Sequence, residues 1–126
     1  MIEIKKTNDK AVCESFGFDE FSVVMTAKDG DEILGAGAVR LSDGYAVLCD
    51  IKMKDEYKMF NMEFAIGKSL LNMLDLSGVR YVVSDMEDER LLTALRFKKD
   101  APEGLKSDKE YKCYLCLDGY FTEHSC

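Results

Sequence analysis

The first half of the chain has the short alternating patterns that are typical of β-strands. Residues 1–6 alternate apolar and polar side chains at a period of two, which predicts a short first strand. The following segment, up to about Gly17, has no clear period. Residues 21–27, 32–41 and 45–53 are rich in β-branched and other apolar side chains, and turns of the Asp-Gly type separate them. These three segments predict an antiparallel meander.

The second half changes to helical spacing and then alternates helix with strand. Apolar side chains recur at three- and four-residue intervals over 62–77, which predicts a helix, and Gly78 stands where such a helix would end. Residues 79–85 form a nearly continuous apolar run, as in a strand covered on both faces. Residues 88–97 predict a shorter helix with acidic residues at its start, where they suit the helix dipole. Residues 111–121 predict one long or two short final strands.

Size, charge and cysteine content narrow the class of protein. With 126 residues, 47% of them hydrophobic, the chain can bury the core of one α+β domain. A formal charge of −7 argues against nucleic acid or an anionic membrane as a partner. The absence of a long apolar run and of a signal peptide pattern favours a cytoplasmic protein, and five cysteines then fit reduced thiols.

Three segments resemble the GCN5-related N-acetyltransferases (GNAT), which move an acyl group from acetyl-coenzyme A to an amine. Residues 51–58, IKMKDEYK, are similar to the end of the family's fourth strand; residues 65–74, AIGKSLLNML, to its cofactor loop and helix; residues 95–100, LRFKKD, to the close of its later helix. The order of elements agrees from Phe21 to Phe121. The resemblance implies one GNAT-like acyl-CoA N-acyltransferase domain over 1–126, with a mixed central sheet and flanking helices.

The resemblance also implies a set of cofactor-binding residues. In such a loop a helix N-terminus presents free N–H groups, and small residues let the pyrophosphate of acetyl-CoA approach the backbone. The positions in this chain that would contact the cofactor are Met53, Ala65, Ile66, Gly67 and Lys68.

The same loop departs from the family pattern. Met62 replaces a Gln or Arg, Ala65 replaces a Gly, and Glu63 places a carboxylate beside the expected phosphates. Asn61 is a good N-cap, so the helix would begin there and enclose the loop residues. We therefore expect a core-packed helix in which the phosphate-binding role of Ala65 to Lys68 is weakened or lost.

Catalysis would need a base for the incoming ammonium and an acid for the leaving thiolate. The resemblance places Asp50 in the fourth strand as the candidate base; the alternative is a solvent-facing strand residue. The family's acid is often a tyrosine five residues before the position of Phe97, where this chain has Leu92. Tyr81 and Tyr114 lie elsewhere, and strand tyrosines more often serve packing.

Three other patterns could indicate a nucleotide loop, an apolar pocket or a zinc site, but each has a simpler explanation. Gly67-Lys68-Ser69 ends a P-loop pattern, but that pattern needs a glycine at 62, so a nucleotide loop is not expected. Methionines near the cofactor region could line a pocket, although their helical spacing favours the core; they are Met53, Met59, Met62 and Met73. A third set could bind zinc, yet strand alternation points its first two members apart, so no metal site is predicted; its members are Cys113, Cys116, His124 and Cys126.

The sequence is compatible with two functions. The first is an N-acetyltransferase that uses acetyl-CoA and acts on a small-molecule or peptide amine, for which the acidic composition suits a cationic acceptor. The alternative is a catalytically degenerate GNAT-fold module that binds a partner without transferring an acyl group. The sequence leaves the acceptor open, and likewise whether the chain forms a homodimer.

Overall fold

The computed structural model describes residues 1–121, which form a mixed sheet of six strands with three α-helices. The strands are β1 (Ile2–Thr7), β2 (Ser22–Asp29), β3 (Glu32–Leu41), β4 (Ala46–Met53), β5 (Tyr81–Ser84) and β6 (Cys113–Cys116). The helices are α1 (Lys10–Ser15), α2 (Phe60–Leu76) and α3 (Glu89–Ala94), and a single 3₁₀ turn, Asp55–Tyr57, precedes α2. None of the helices in this range is long and apolar enough to cross a membrane.

The strands lie in the sheet in their chain order, from β1 to β6. Neighbouring strands are antiparallel except β4 and β5, which are parallel and are connected through α2. The predicted meander is confirmed, and its first hairpin turns at Gly30, whose φ of 61° is a left-handed conformation that glycine adopts without strain. The C-terminal segment, predicted as one long or two short strands, contributes the single strand β6.

Helix α2 packs across one face of β2, β3 and β4 and forms the main core there. Ile66, Leu70 and Leu74, which the helical period placed on the inner face, are fully buried. The helix approaches the sheet closely because β3 has Gly37, where a Cβ would lie 2.7 Å from Ile66 Cγ2. The predicted start of α2 was wrong: Met59, not Asn61, is the N-cap, and no side chain in the described part of the chain caps the helix.

The opposite face of the sheet is covered by α1 and by the segment before β6. Phe18 packs with Val24, Ala36 and Ala38 beneath α1, which forms in the segment that had no clear period. A second cluster on this face contains Val83, whereas the adjacent Val82 packs in the α2 cluster. Both valines are fully buried, so β5 is covered on both faces as its apolar run predicted.

Candidate functional site

A cleft opens where the two parallel strands separate. Strand β5 pairs only with residues 46–48 of β4, and β4 then continues to Met53 with no strand partner on that side among residues 1–121. The cleft has a volume of about 600 Å³. It is lined by the free part of β4, the approach to α2, the first turn of α2 and the segment after β5. It therefore lies at the carboxyl ends of a parallel strand pair, a position where α/β folds commonly bind ligands.

A buried serine fixes the point at which the strands separate. The hydroxyl of Ser84, the last residue of β5, donates to the carbonyl of Leu48 at 2.8 Å. The same hydroxyl accepts from the amide of Met86 at 3.2 Å, which turns the chain away from β4. Ser84 is fully buried. The closed end of the cleft is thus held by side-chain hydrogen bonding as well as by the strand pairing.

A β-bulge in β4 re-aims the residues that border the cleft. The register runs from Val39–Leu48 to Ala38–Asp50, which leaves Cys49 as the extra residue. Leu48 packs in the α2 cluster, and after the bulge Ile51 takes that face. In a regular strand Asp50 would share the face of Leu48, because side chains alternate with a period of two. The bulge therefore keeps the Asp50 carboxylate out of the apolar core.

Asp50, the predicted base, lines the cleft with a half-exposed carboxylate. Its Oδ1 accepts from the amide of Ile51 at 2.9 Å, and its Oδ2 lies 3.9 Å from Lys52 Nζ. The Lys52 ammonium also donates to the carbonyl of Phe16 at 2.8 Å, so it is anchored toward α1. One Asp50 oxygen is thus held by the backbone, and the carboxylate stays open to the cleft. Its catalytic role remains a prediction.

Glu63 reaches the same cleft from the first turn of α2. It is 91% buried, its exposed fraction being only 9%, and within residues 1–121 it has no hydrogen bond to its carboxylate. Burial raises the pKa of Glu63, and Asp88 raises it further, while Lys58 and Arg90 act in the opposite direction. No fully buried side-chain oxygen in the described chain lacks a partner, so the carboxylate reaches the water of the cleft. The sequence marked Glu63 only as an obstacle to a phosphate.

The cleft lining is strongly acidic. Among the residues that the structure describes, two lysines line it, Lys52 and Lys58. Two of its carboxylates are also paired from outside, Asp85 with Lys109 and Glu87 with Lys112 at 3.5 Å. The carboxylates that line the cleft are Asp50, Asp55, Glu63, Asp85, Glu87 and Asp88. Acids therefore outnumber cations even when the flanking lysines are counted.

The predicted cofactor residues occupy two different environments. Met53 lines the cleft. Ala65, Ile66, Gly67 and Lys68 lie inside α2, where backbone amides donate to carbonyls four residues earlier and are not free for a phosphate. A Cβ on Gly67 would lie 2.8 Å from Leu95 Cδ1, so this glycine permits the close packing of α2 against the residue that follows α3.

Lys68 points away from the cleft and into an aromatic cluster. Its ammonium lies 4.5 Å from the ring centre of Tyr120 and 5.0 Å from that of Phe121. Burial lowers the pKa of Lys68, and the nearby Arg96 lowers it further. Such cation–π contacts stabilise a partly buried ammonium. The Gly67-Lys68-Ser69 sequence is thus explained by packing within the fold.

The other candidate side chains have structural roles. Leu92, at the position where the family often has its acid, is buried in the main apolar core. The Tyr81 hydroxyl donates to the carbonyl of Glu103 at 3.0 Å, and the Tyr114 hydroxyl accepts from the amide of Tyr111 at 2.9 Å. Of the four methionines weighed as pocket or core, Met59 is exposed, whereas the other three pack against the α2 core.

The cysteines of β6 do not form a metal site in the described part of the chain. Cys113 is buried and its thiol donates to the carbonyl of Ser84 at 3.5 Å, and burial raises its pKa to about 11. Cys116 is partly exposed. No group of three potential ligands within residues 1–121 is placed to hold a metal ion. His124 and Cys126, the other members of the predicted set, lie outside the described residues.

The fold is that of GNAT acyltransferases. A Bacillus subtilis acetyltransferase in complex with CoA matches with a TM-score of 0.68 at 12% identity, over 93% of this chain and 99% of that one. The Escherichia coli ribosomal-protein-S18-alanine N-acetyltransferase matches with a TM-score of 0.65 at 11% identity, over 90% of each chain. A GNAT family acetyltransferase from Elizabethkingia anophelis with acetyl-CoA bound matches with a TM-score of 0.61 at 11% identity, over 91% of this chain and 94% of that one.

These similarities confirm the fold that the sequence predicted. At such low identities they establish the architecture, and they do not identify the residues of this site. No protein-family model matches the sequence, and no curated protein matches it either.

Proposed function

We propose that the protein is an N-acyltransferase that moves an acetyl or related acyl group from acyl-CoA to an amine. The main support for this proposal is the cleft that opens where β4 and β5 separate. The bulge at Cys49 lies at its edge, and Asp50 borders it. Solved structures of the same fold include a Bacillus subtilis acetyltransferase with CoA and an Elizabethkingia anophelis acetyltransferase with acetyl-CoA. Both the fold and the cleft therefore support this chemistry.

The residues present fit an acyl-CoA with one exception. The unpaired edge of β4, from Cys49 to Met53, offers backbone groups and apolar side chains to an extended thioester arm. The amides of Met62 and Glu63 donate to the carbonyl of Met59 at 3.1 Å, which leaves those of Phe60 and Asn61 as the first-turn amides available to a phosphate. The exposed ammonium of Lys58 lies just before them. The Glu63 carboxylate opposes this anion.

The chemistry follows from the groups in the cleft. When bound, acetyl-CoA supplies an acyl group activated as a thioester. The acceptor nitrogen enters as an ammonium, and Asp50 takes its proton directly or through a water, which frees the lone pair for attack on the acyl carbon. Attack would form the carbon–nitrogen bond and break the carbon–sulfur bond, and a second proton from the same nitrogen would pass to the departing thiolate, while the proton taken by Asp50 would be released to solvent. The balanced products are an N-acyl amine, CoA and one proton.

The first test is the binding of acetyl-CoA to the purified protein, measured by titration calorimetry and by the shift in melting temperature. A ligand that binds only the folded state adds about 2.7 kcal/mol of stability at one hundred times its Kd. Lys58→Glu should weaken binding about tenfold or more, because it replaces an ammonium beside the phosphates with a carboxylate. Lys10→Glu makes the same charge change on α1 and should leave binding unchanged.

Each outcome of this test has a clear meaning. Binding that Lys58→Glu weakens and Lys10→Glu does not supports the proposed position of the cofactor. Binding that neither variant changes would overturn that position. No heat and no melting shift at millimolar acetyl-CoA would contradict the enzyme proposal and favour a GNAT-fold module that binds a partner without transferring an acyl group.

A further inference from the structure

The acceptor class can be inferred from the cleft itself, an inference that rests on the proposed function. We propose that the acceptor is a linear aliphatic diamine or polyamine, with a protonated nitrogen bound to the Glu63 carboxylate. Two observations support this assignment: the distribution of carboxylates along the cleft, and the Glu63 side chain, which is 91% buried and directs its carboxylate to the cleft with no hydrogen-bond donor among residues 1–121.

The Glu63 side chain provides the stronger support. Most of the Glu63 side chain is buried and its carboxylate keeps only partial access to the cleft water. Partial loss of hydration is unfavourable for a carboxylate unless a hydrogen-bond donor or a cation compensates for it. No residue of the described chain donates to it, and its nearest cationic influences, Lys58 and Arg90, are outweighed by burial and by Asp88. Arg90 is also engaged elsewhere, with its guanidinium 4.0 Å from the ring centre of Phe60. A cationic group of a ligand would supply the missing partner.

The distribution of the acids indicates the shape of that cation. Six carboxylates line the cleft, yet within residues 1–121 no three potential ligands converge on one point closely enough to hold a metal ion. A compact divalent cation needs several oxygens at a single centre. A chain with charges separated by methylene groups instead matches carboxylates that are spread along a cleft. The spread of acids along the cleft therefore favours a small molecule with two or more ammonium groups.

Glu63 and Asp50 reach the cleft from two different elements, α2 and β4, and can therefore contact different parts of an acceptor. Glu63 projects from α2 on one side of the cleft, and the bulge keeps Asp50 off the core face that α2 covers. One ammonium of the acceptor can therefore be held at Glu63 while the reacting nitrogen lies near Asp50. The methylene chain would pass the apolar side chains of Met53 and Met86, which also line the cleft.

The test compares butane-1,4-diamine with butan-1-amine, which has the same carbon chain but one ammonium. Titration calorimetry at low ionic strength without acetyl-CoA should show the diamine binding at least about tenfold more tightly, since a charge-assisted hydrogen bond is among the stronger polar contacts. Glu63→Gln should weaken diamine binding about tenfold or more. Glu14→Gln removes the same charge from an exposed position on α1 and should leave it unchanged.

Several results would overturn the proposal. Equal affinity for the diamine and the monoamine would show that the second charge is not recognised, and equal affinity of wild type and Glu63→Gln would exclude Glu63 as the binding group. Mg²⁺ binding as tightly as the diamine would indicate a general site for cations. Because acetyl-CoA is absent, a failed acyltransferase proposal does not affect this result. Conversely, acetyl-CoA binding without diamine selectivity overturns only the acceptor assignment.

Discussion

At the scale of single residues, Glu63 makes a pH-dependent contribution to stability. Its pKa is raised above the ordinary 4.5 in the folded protein, mainly by burial. Deprotonation of Glu63 therefore destabilises the folded state. This destabilisation is absent below pH 4.5, grows between pH 4.5 and the folded pKa, and is complete above the folded pKa. Glu63→Gln should be more stable than wild type near pH 7.5, with the difference shrinking toward pH 4.5.

Urea unfolding monitored by circular dichroism across this pH range measures the effect. Glu14→Gln, on the exposed face of α1, should change the free energy of unfolding by less than about 0.5 kcal/mol. A Glu63→Gln variant that is less stable than wild type at pH 7.5 would show that the carboxylate has a stabilising partner in the folded protein.

Leu70 tests the packing of α2. It is fully buried between the helix and β3, where Gly37 brings the backbone close. Leu70→Ala should lower the free energy of unfolding by about 2–5 kcal/mol, because the truncation leaves a cavity that the rigid sheet cannot fill. Leu76→Ala is the matched control, since Leu76 lies on the same helix and is 78% exposed. Similar losses for both variants in denaturant unfolding would contradict the assigned inner face of α2.

Residue roles were harder to predict than residue burial. The helical period identified Ile66, Leu70 and Leu74 as core because burial repeats along a helix. It could not show that Gly67 is needed for contact with Leu95, because that contact depends on how two helices meet. Nor could the sequence show the bulge that turns Asp50 away from the core, since residues 46–49 are a continuous apolar run with no alternation in which an extra residue would stand out.

At the scale of elements, Ser84 controls where the parallel pair ends. Ser84→Ala removes the hydroxyl that bonds the Leu48 carbonyl and receives the Met86 amide, and it should cost about 1–3 kcal/mol because buried groups lose their partner. Ser107→Ala removes a hydroxyl that bonds a carbonyl at an exposed site and should have little effect. Thermal and urea unfolding compare the two variants. A neutral Ser84→Ala would show that strand pairing alone defines the closed end of the cleft.

The bounds of an element were predicted best where its hydrophobic pattern and its flanking turns agreed. The strand predicted over 32–41 is β3 at those bounds, because alternation and flanking turns agree. Helix α2 begins two residues before its predicted start, since the chain enters it through Met59 without a capping side chain. Helix α1 escaped prediction because six residues are too few to display a helical period. The sequence does contain a typical helix start residue at Asp9, and in the structure its side chain accepts from the amides of Ala11 and Val12.

At the scale of the whole molecule, the order of elements predicted the fold more surely than any motif. The meander, the helix and the single parallel pair restrict the topology strongly, and the resemblance to GNAT proteins added to that order. The phosphate loop could not be placed because its motif fell within a continuous helix. The cleft depends on strand separation and a bulge, which involve residues far apart in the chain.

Transfer of an acetyl group to an amine is the measurement that tests the proposed function most directly. The protein should be incubated with acetyl-CoA and either butane-1,4-diamine, butan-1-amine or a lysine-rich peptide, and the acetylated amine and CoA should be quantified by mass spectrometry, since five cysteines would react with a thiol reagent. We predict acetylated amine and CoA in equal amounts, fastest with the diamine, and a loss of about 10²–10⁴-fold in kcat for Asp50→Asn. No acetylated amine above the protein-free rate with any of the three acceptors, at millimolar acetyl-CoA, would contradict the proposed function.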